Sequence, residues 1–562
     1  MKKLINAPAG VVREILEGMA ALNANLVLLE GMNIIVRADL PAPAQRKVAV
    51  VSGGGSGHEP AHAGYVGAGM LSAAVAGEIF TSPDTDSILA AIKAAAGPAG
   101  ALLIIKNYTG DRLNFGLAAE LARAEGIPVE IVVVADDVAL RDAVPRERRR
   151  GIAGTVLVHK IAAAAAERGL PLAEVAALAR RAAAAIASMG IALGACTLPA
   201  VGHRGFELAE NEIEAGLGIH GEPGVQRLEM RPADALVRLI LDSFAADRPF
   251  RPGERGALLV NGLGATPPME LAVVARAALA QLAARGVAVE RAWAGNFLTA
   301  LDMPGFSLSF ISLDAELLAL LDAPAAAPAW PGPGISRGKA AIIAAPAKAA
   351  AAPQAAAAQT AAGLAVRQQA SKAARALIAA EPQLTALDSI AGDGDLGASM
   401  QRGAEAVLAL PPEQFATAAG GLAAIGEALR RAIAGSSGPF YATGFLRAAR
   451  QLAGIAAPAA ADWAAALNAA VAAIRELGGA KPGDRTMVDA LQAAADNLQA
   501  GAEAGLPLAA AWRQAAKAAE AAAEATKNMR PKAGRASYLG ERALGHPDGG
   551  AVATAIWMQS LE

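Results

Sequence analysis

Residues 47–60 read KVAVVSGGGSGHEP. The first six form a short, mostly apolar run built on the β-branched Val48, Val50 and Val51, the pattern of a buried strand. They feed Gly53-Gly54-Gly55-Ser56-Gly57-His58-Glu59-Pro60, which reads as a glycine-rich bend carrying a histidine. A strand that runs into such a bend predicts α/β layers, with the chemistry on loops at the strand ends. Two further segments repeat the arrangement. Residues 102–105 run into Lys106-Asn107-Tyr108-Thr109-Gly110-Asp111, and residues 129–135 end in Asp136-Asp137. A bend of this kind can hold a small polar ligand against a base.

The strand–helix alternation continues to about residue 322, and a second α/β subdomain is expected from about residue 190, with strands near 257–260 and 306–313. The composition then changes. Residues 323–360 are rich in Ala and Pro around Trp330-Pro331-Gly332-Pro333-Gly334 and read as an interdomain linker. A coil of that length spans about 30–35 Å. Residues 361–562 carry helical patterning throughout, with seven or eight candidate helices and no strand. A chain of 562 residues is too long for a single core, and three folding units is the natural division.

Charge and cysteine content narrow the function class. A net charge of −2 gives no bias toward nucleic acid or an anionic membrane surface. The single cysteine, Cys196, allows no intrachain disulfide, fits a reducing compartment and is expected to be a buried structural thiol. Met1-Lys2-Lys3 is followed by no signal-like apolar stretch, because Arg13, Glu14 and Glu17 interrupt it. Since no charge-free apolar run reaches the ~20 residues that span a bilayer, a cytoplasmic setting is expected.

A second polar cluster lies about 330 residues beyond the first: Asp388, then Asp393-Gly394-Asp395-Leu396-Gly397. Mg²⁺ takes oxygen ligands and bridges carboxylates to substrate phosphates. A lone Asp-Gly-Asp is commonly a helix cap, but Asp388 one turn back and Gly397 after it favour a metal site. Ser436 and Ser437 lie between glycines at the start of a helix-like stretch, and Gly478 opens a glycine-bearing turn that reaches Thr486 and Met487. Free N–H groups at helix starts attract phosphate. Residues 534–540 and 546–550, the latter with Asp548 and Gly549, are two more polar loops suited to closing over a nucleotide. The chain has no Walker A motif, no dinucleotide fingerprint at 53–58 and no protein-kinase signature.

His58 and His220 sit in glycine-bounded loops, whereas His62 and His159 fall on helix-like stretches and read as structural. A histidine so exposed can act as a nucleophile toward a carbonyl or as a base for a hydroxyl, and spacing alone leaves both open beside a purely structural role.

Taken together, residues 53–60, 106–116, 151–160, 216–224, 388–397, 435–438, 483–487 and 534–540 resemble the dihydroxyacetone kinases in their single-chain, ATP-using form. The resemblance covers nearly the whole chain in order. It implies an α/β substrate domain over 1–322 and an all-helical nucleotide domain, an eight-helix barrel, over 361–562. It implies that His220 holds the substrate covalently through its carbonyl, and that His58 and Asp111 handle the proton of the attacking hydroxyl. Gly55, Ser56, Gly57 and Lys106 would hydrogen-bond the triose. Asp388, Asp393 and Asp395 would carry Mg²⁺ on ATP. Gly394, Leu396, Ser436, Ser437, Gly478, Thr486, Met487, Asp548 and Gly549 would line the nucleotide site. A homodimer is expected. Two departures stand out: Ala434 replaces a frequent glycine and Gly549 a frequent proline.

The leading expectation is ATP-dependent phosphorylation of dihydroxyacetone. The alternatives are the same chemistry on erythrulose or glyceraldehyde, and a phosphocarrier donor, which the covalent fusion of the two domains disfavours. A sugar-sensing regulator would have lost a base or a metal ligand, and all are present. The broader family includes an activity that cyclises FAD-type dinucleotides.

Overall fold

The structure, a computed structural model, describes residues 2–200, 202, 205–222, 224–345, 359–435 and 437–561. The chain divides into two compact units, residues 1–345 and 346–562.

The first unit begins with α1 (Val11–Leu22) and a six-stranded sheet. Its strands are β1 (Leu26–Leu28), β2 (Ile34–Arg37), β3 (Ala49–Ser56), β4 (Ala73–Ile79), β5 (Ala101–Lys106) and β6 (Val129–Val134), in the order β1-β2-β4-β3-β5-β6. Strands β4, β3, β5 and β6 are parallel, and β2 joins β4 antiparallel. Parallel strands covered on both faces read as continuous apolar runs, and all six residues of β5, ALLIIK, are buried. Helices α2 (Thr85–Ala95) and α3 (Thr109–Ala124) cover one face. Helices α4 (Thr155–Glu167) and α5 (Leu172–Ala185) cover the other.

The second sheet holds β7 (Ile186–Ala192), β8 (Glu212–Ala215), β9 (Gln226–Glu229), β10 (Arg255–Gly262), β11 (Ala288–Gly295) and β12 (Gly305–Ser312), in the order β11-β10-β12-β7-β8-β9. Only β10 and β11 run parallel. Helices α6 (Ala233–Asp247) and α7 (Pro268–Ala284) pack on its outer face. One continuous core runs from the first sheet through α4, α5 and α8 (Ala315–Leu321) to the inner face of the second. From Thr155 to Ala166 every residue of α4 is buried; five consecutive alanines let neighbours approach from all sides. Residue 190, near which the subdomain boundary is expected, lies inside β7, the first strand of the second sheet in chain order.

Two readings from the sequence change. The glycine run is the second half of a strand, not a bend: β3 extends through Ser56, fully buried. The expected linker is structured in its first part. Trp330 is buried and packs at a tilt against Trp293 with centroids 5.1 Å apart, while Ala326 N–H donates to Ala68 and Ser336 N–H to Glu290. Alternating Ala and Pro suppress helix and strand patterning without preventing burial. Residues 346–358 lie outside the described residues.

The second unit contains nine α-helices and no strand among the described residues: α9 (Ala361–Ala379), α10 (Glu381–Ala391), α11 (Leu396–Leu408), α12 (Ala418–Ala432), α13 (Ser437–Gln451), α14 (Ala460–Gly478), α15 (Met487–Glu503), α16 (Leu508–Ala525) and α17 (Gly549–Gln559). From α11 onward each helix packs on the next, and α17 returns to α9. Together with α9 these form a closed ring of eight, with short α10 laid on α11 and α17. Side-chain caps at Thr360, Thr417, Thr486 and Asp548 each accept an orphan N–H and start α9, α12, α15 and α17.

Candidate active site

In the first unit the ends of β3, β5 and β6 converge on the loop between β8 and β9. Segment 297–301, which follows β11, stitches the end of β3 in place. Thr299 N–H donates to His58 O at 3.1 Å, Leu301 N–H to Gly57 O at 2.7 Å and Thr299 Oγ to Glu59 O at 2.8 Å. His58 is fully buried, and its Nδ1–H donates to Thr299 O at 2.8 Å. A carbonyl can only accept, so the proton sits on Nδ1 and Nε2 presents a lone pair. That Nε2 is buried without a partner. Burial, with Lys106 and His220 nearby, holds the His58 imidazolium far below its ordinary range.

His220 stands edge-on to this ring with centroids 5.0 Å apart. Phe80 at 5.3 Å and Tyr108 at 4.5 Å complete an aromatic box around it. Burial pushes the His220 imidazole down to about 4, against the opposing pull of Glu222. Both histidines are therefore neutral near pH 7, the state in which an imidazole is nucleophilic or basic.

Lys106, at the end of β5, is fully buried. Its Nζ donates to His62 Nε2 at 2.8 Å and lies 3.5 Å from Gly53 O and 4.0 Å from Asp111. Gly54, at φ +152°, makes room for it, since a Cβ there would lie 2.4 Å from Nζ. Burial lowers the Lys106 pKa and raises that of Asp111, and each partly offsets the other. Ser56 Oγ is engaged with Gly77 O at 2.7 Å, and Gly57 N–H donates to Glu59 at 3.1 Å. Gly55 completes the same buried strand end.

The expected residues Gly55, Ser56, Gly57, His58, Lys106, Asp111 and His220 thus share this end of the first unit. Sequence reading missed Phe80, Tyr108, Thr299 and the role of His62, which contacts Lys106 and is not on a helix. Tyr108 lay within the quoted 106–111 run; nothing in the sequence marked Phe80 or Thr299.

In the second unit Asp388 occupies the last turn of α10. Its Oδ2 accepts from Asp395 N–H at 3.0 Å and Leu396 N–H at 3.3 Å, folding the 393–395 turn back on it. Asp388, Asp393 and Asp395 each offer an oxygen, all within 4.8 Å of one another. Three hard oxygen donors, intermediate to exposed, are the set a Mg²⁺ ion takes while keeping positions for water and phosphate. Gly549 lies against this turn: a Cβ on it would meet Leu396 at 2.8 Å and Asp388 N at 4.0 Å. Gly550 lies against Met487 in the same way, at 3.5 Å. So the turn at 388–396, the start of α15 at Thr486-Met487 and the start of α17 at Asp548-Gly549 meet.

Thr486 caps α15 while Asp489 accepts from Thr486 N–H at 2.8 Å. Asp548 caps α17; burial raises its carboxyl to about 6, against Ala551 N–H and Arg485. Arg485 is itself buried, donating to Ala543 O and His546 O at 2.9 Å each. Ser437 opens α13. Gly478 ends α14 against the ring of Phe440, one turn into α13. Ser436 lies outside the described residues.

Residues 17–329 match the Dak1 domain and residues 390–562 the DAK2 domain. The whole chain is 45% identical to Homo sapiens triokinase/FMN cyclase, covering 98% of it. It is 39% identical to Mycolicibacterium smegmatis D-erythrulose kinase, again covering 98%. The dihydroxyacetone kinase of C. freundii in its native form superposes with a TM-score of 0.66 at 37% identity, over 100% of this chain and 99% of that one. The same C. freundii kinase in complex with AMP-PNP and Mg²⁺ gives a TM-score of 0.65. With a Dak1 and a DAK2 domain in one polypeptide, each carrying its polar cluster, the chain is a kinase of the dihydroxyacetone kinase family in its single-chain form.

Proposed function

We propose that the chain transfers the terminal phosphoryl group of ATP to a hydroxyl of dihydroxyacetone. The observation that carries this is the pair of neutral imidazoles, His58 fully buried and His220 half-buried, with ring centroids 5.0 Å apart beside Lys106 and Asp111. In this reading His220 adds across the acceptor's carbonyl. A C–N bond forms, the imidazole proton passes to the carbonyl oxygen, and a hemiaminal results. His58 Nε2, with its proton fixed on Nδ1, takes the proton of the attacking hydroxyl, and Asp111 assists. Lys106, with Gly55, Ser56 and Gly57, hydrogen-bonds the bound sugar.

Asp388, Asp393 and Asp395 would hold Mg²⁺, which when bound neutralises charge on the phosphates. Gly394, Leu396, Ser436, Ser437, Gly478, Thr486, Met487, Asp548 and Gly549 would line the nucleotide. The AMP-PNP and Mg²⁺ bound by the C. freundii kinase support this half. Phosphoryl transfer depends on positioning and charge stabilisation, so covalent capture serves to select the acceptor. The homodimer and the cytoplasmic setting expected above are part of the proposal.

The test is His220→Ala. It should lose most discrimination between dihydroxyacetone and glycerol, which has no carbonyl, and keep its affinity for AMP-PNP. An intact ketose preference would sink the hemiaminal. Running glyceraldehyde and both erythrulose enantiomers in the same coupled assay ranks the acceptors, a comparison that the D-erythrulose kinase relative makes pointed.

A further inference from the structure

Behind His220 lies a charged group that the reaction as described does not use. Arg150, in the segment after β6, is mostly buried and faces three ways. Its Nε and Nη2 grip Asp137 at 2.8 and 2.7 Å. Nη2 also donates to Gly216 O at 2.8 Å, and Nη1 lies 3.4 Å from Glu222. Asp137 is fully buried three residues beyond the end of β6, so the fork starts from a rigid point beside the first sheet. Gly216 and Glu222 bracket His220 on the loop that leaves the second sheet. Glu222 then accepts the backbone N–H of His220 at 2.8 Å. Between them, a Cβ on Gly218 would lie 1.6 Å from Glu222 Oε1, so the loop closes around this carboxylate with no room for a side chain.

We propose that Arg150 is a positioning residue for His220, holding its loop through Gly216 and Glu222 against the first sheet. The inference rests on His220 being the group that captures the acceptor. Arg150 carries two separable roles. Its planar fork sets where the ring stands, since Nε and Nη2 close on Asp137 Oδ2 while Nη2 and Nη1 reach Gly216 and Glu222, which fixes direction as well as distance. Its charge balances Glu222.

The charged and titratable groups facing His220 are His58 and Lys106 from the first sheet, Tyr108 from the start of α3, Arg150, and Glu222 from its own loop. Cys196 lies beneath Gly221. Among these only Glu222 favours the imidazolium, while Arg150 and Lys106 oppose it. Losing the guanidinium therefore leaves Glu222 uncompensated and makes His220 easier to protonate.

Two substitutions separate the roles in the full-length chain. Arg150→Lys keeps the charge and loses the fork. It should raise KM for dihydroxyacetone at least about tenfold, with KM for ATP within about twofold of wild type. Arg150→Met loses both. By NMR on ¹³C-histidine-labelled protein, with His220→Ala for assignment, its His220 midpoint should rise by about one pH unit. Glu222→Gln added to Arg150→Met should bring the midpoint back and leave KM high. A general loss of structure would lower the active fraction without moving a midpoint. An unchanged midpoint in Arg150→Met, or an unchanged KM in Arg150→Lys, overturns the proposal. Adduct formation with dihydroxyacetone is followed in parallel by native mass spectrometry. Shifted midpoints in a wild-type-like chain that forms no adduct would refute the hemiaminal reading and uphold the role of Arg150.

Discussion

Lowering the pH from 7 to 5 should destabilise the first unit by up to about 6 kcal/mol, mostly through four histidines. His58, His62, His159 and His220 are all pushed down by burial, with His220 at about 4 and His159 at about 3. Each is neutral when folded and charged when unfolded below its ordinary value of about 6.5. Their stabilising effect is therefore complete above that pH and is lost as the pH falls toward the folded values. Integrated from pH 7 to 5, one such histidine loses about 2 kcal/mol, and four lose about 8. Asp137 works the other way. Burial raises it to about 6, so the folded state binds its proton first and regains about 1 kcal/mol. Asp111 and Asp136, also raised by burial, trim the loss further. Because domain stabilities are about 5–15 kcal/mol, pH 5 removes a large share.

The assay is hydrogen exchange of the α4 amides, read by mass spectrometry across that pH range, since fully enclosed helices open only with the whole unit. His159 touches no acceptor group in the proposed reaction, and its Nε2 bonds Ser52 at 3.1 Å. His159→Gln can keep that bond and removes one titrating site. It should flatten the pH dependence by about 2 kcal/mol between pH 7 and 5. If that variant follows the wild-type curve, or the wild type is flat, buried neutral histidines do not govern acid stability.

Other outcomes follow from single contacts. Asp388→Asn can still accept the two backbone N–H groups and should fold normally, whereas Asp388→Ala should lose about 1–2 kcal/mol of local stability; both should cut phosphoryl transfer at least about a hundredfold, and calorimetric titration with Mg²⁺ should show weakened binding. Arg485→Met removes the buried donor to Ala543 and His546 and should destabilise the second unit by about 1–3 kcal/mol in calorimetry, loosening the start of α17. Cys196 is buried and its thiol raised to about 11, so iodoacetamide at pH 8 should leave the folded chain unmodified by intact mass.

Much of this architecture is legible in the sequence where local pattern and tertiary demand agree. Strands β3, β5, β10 and β12 announce themselves as apolar runs because both their faces are covered, and β6 does so although its Val133 is exposed. Asp388 and the 393–395 turn are close in sequence, so their convergence needs only a helix end. The failures have one cause, long-range contact. Gly53 to Ser56 looks like a bend because glycine weakens strands; it is a strand because it pairs with β4, and Val75, Lys106 and the Phe80-Thr81 backbone fill the space that side chains on Gly53, Gly54 and Gly55 would occupy. Phe80 and Thr299 join the site from segments with no local signal. His62 reads as structural until the fold sets Lys106 against it. Residues 323–336 read as linker because their partners, Gly64, Ala68, Glu290 and Trp293, are far away in sequence.

The enclosure of α4 has a consequence for how the chain is made. Its buried face is its whole surface, and part of that surface is covered by α8, which ends about 150 residues after the helix does and accepts the Lys160 ammonium at Leu320 O. At ribosomal speeds of about 5–20 residues per second, the helix waits about 7–30 seconds for its cover. During that interval a stretch reading TVLVHKIAAAAA has no place to hide, and nascent-chain binding by a holding chaperone should peak there and vanish once residue 321 has cleared the exit tunnel.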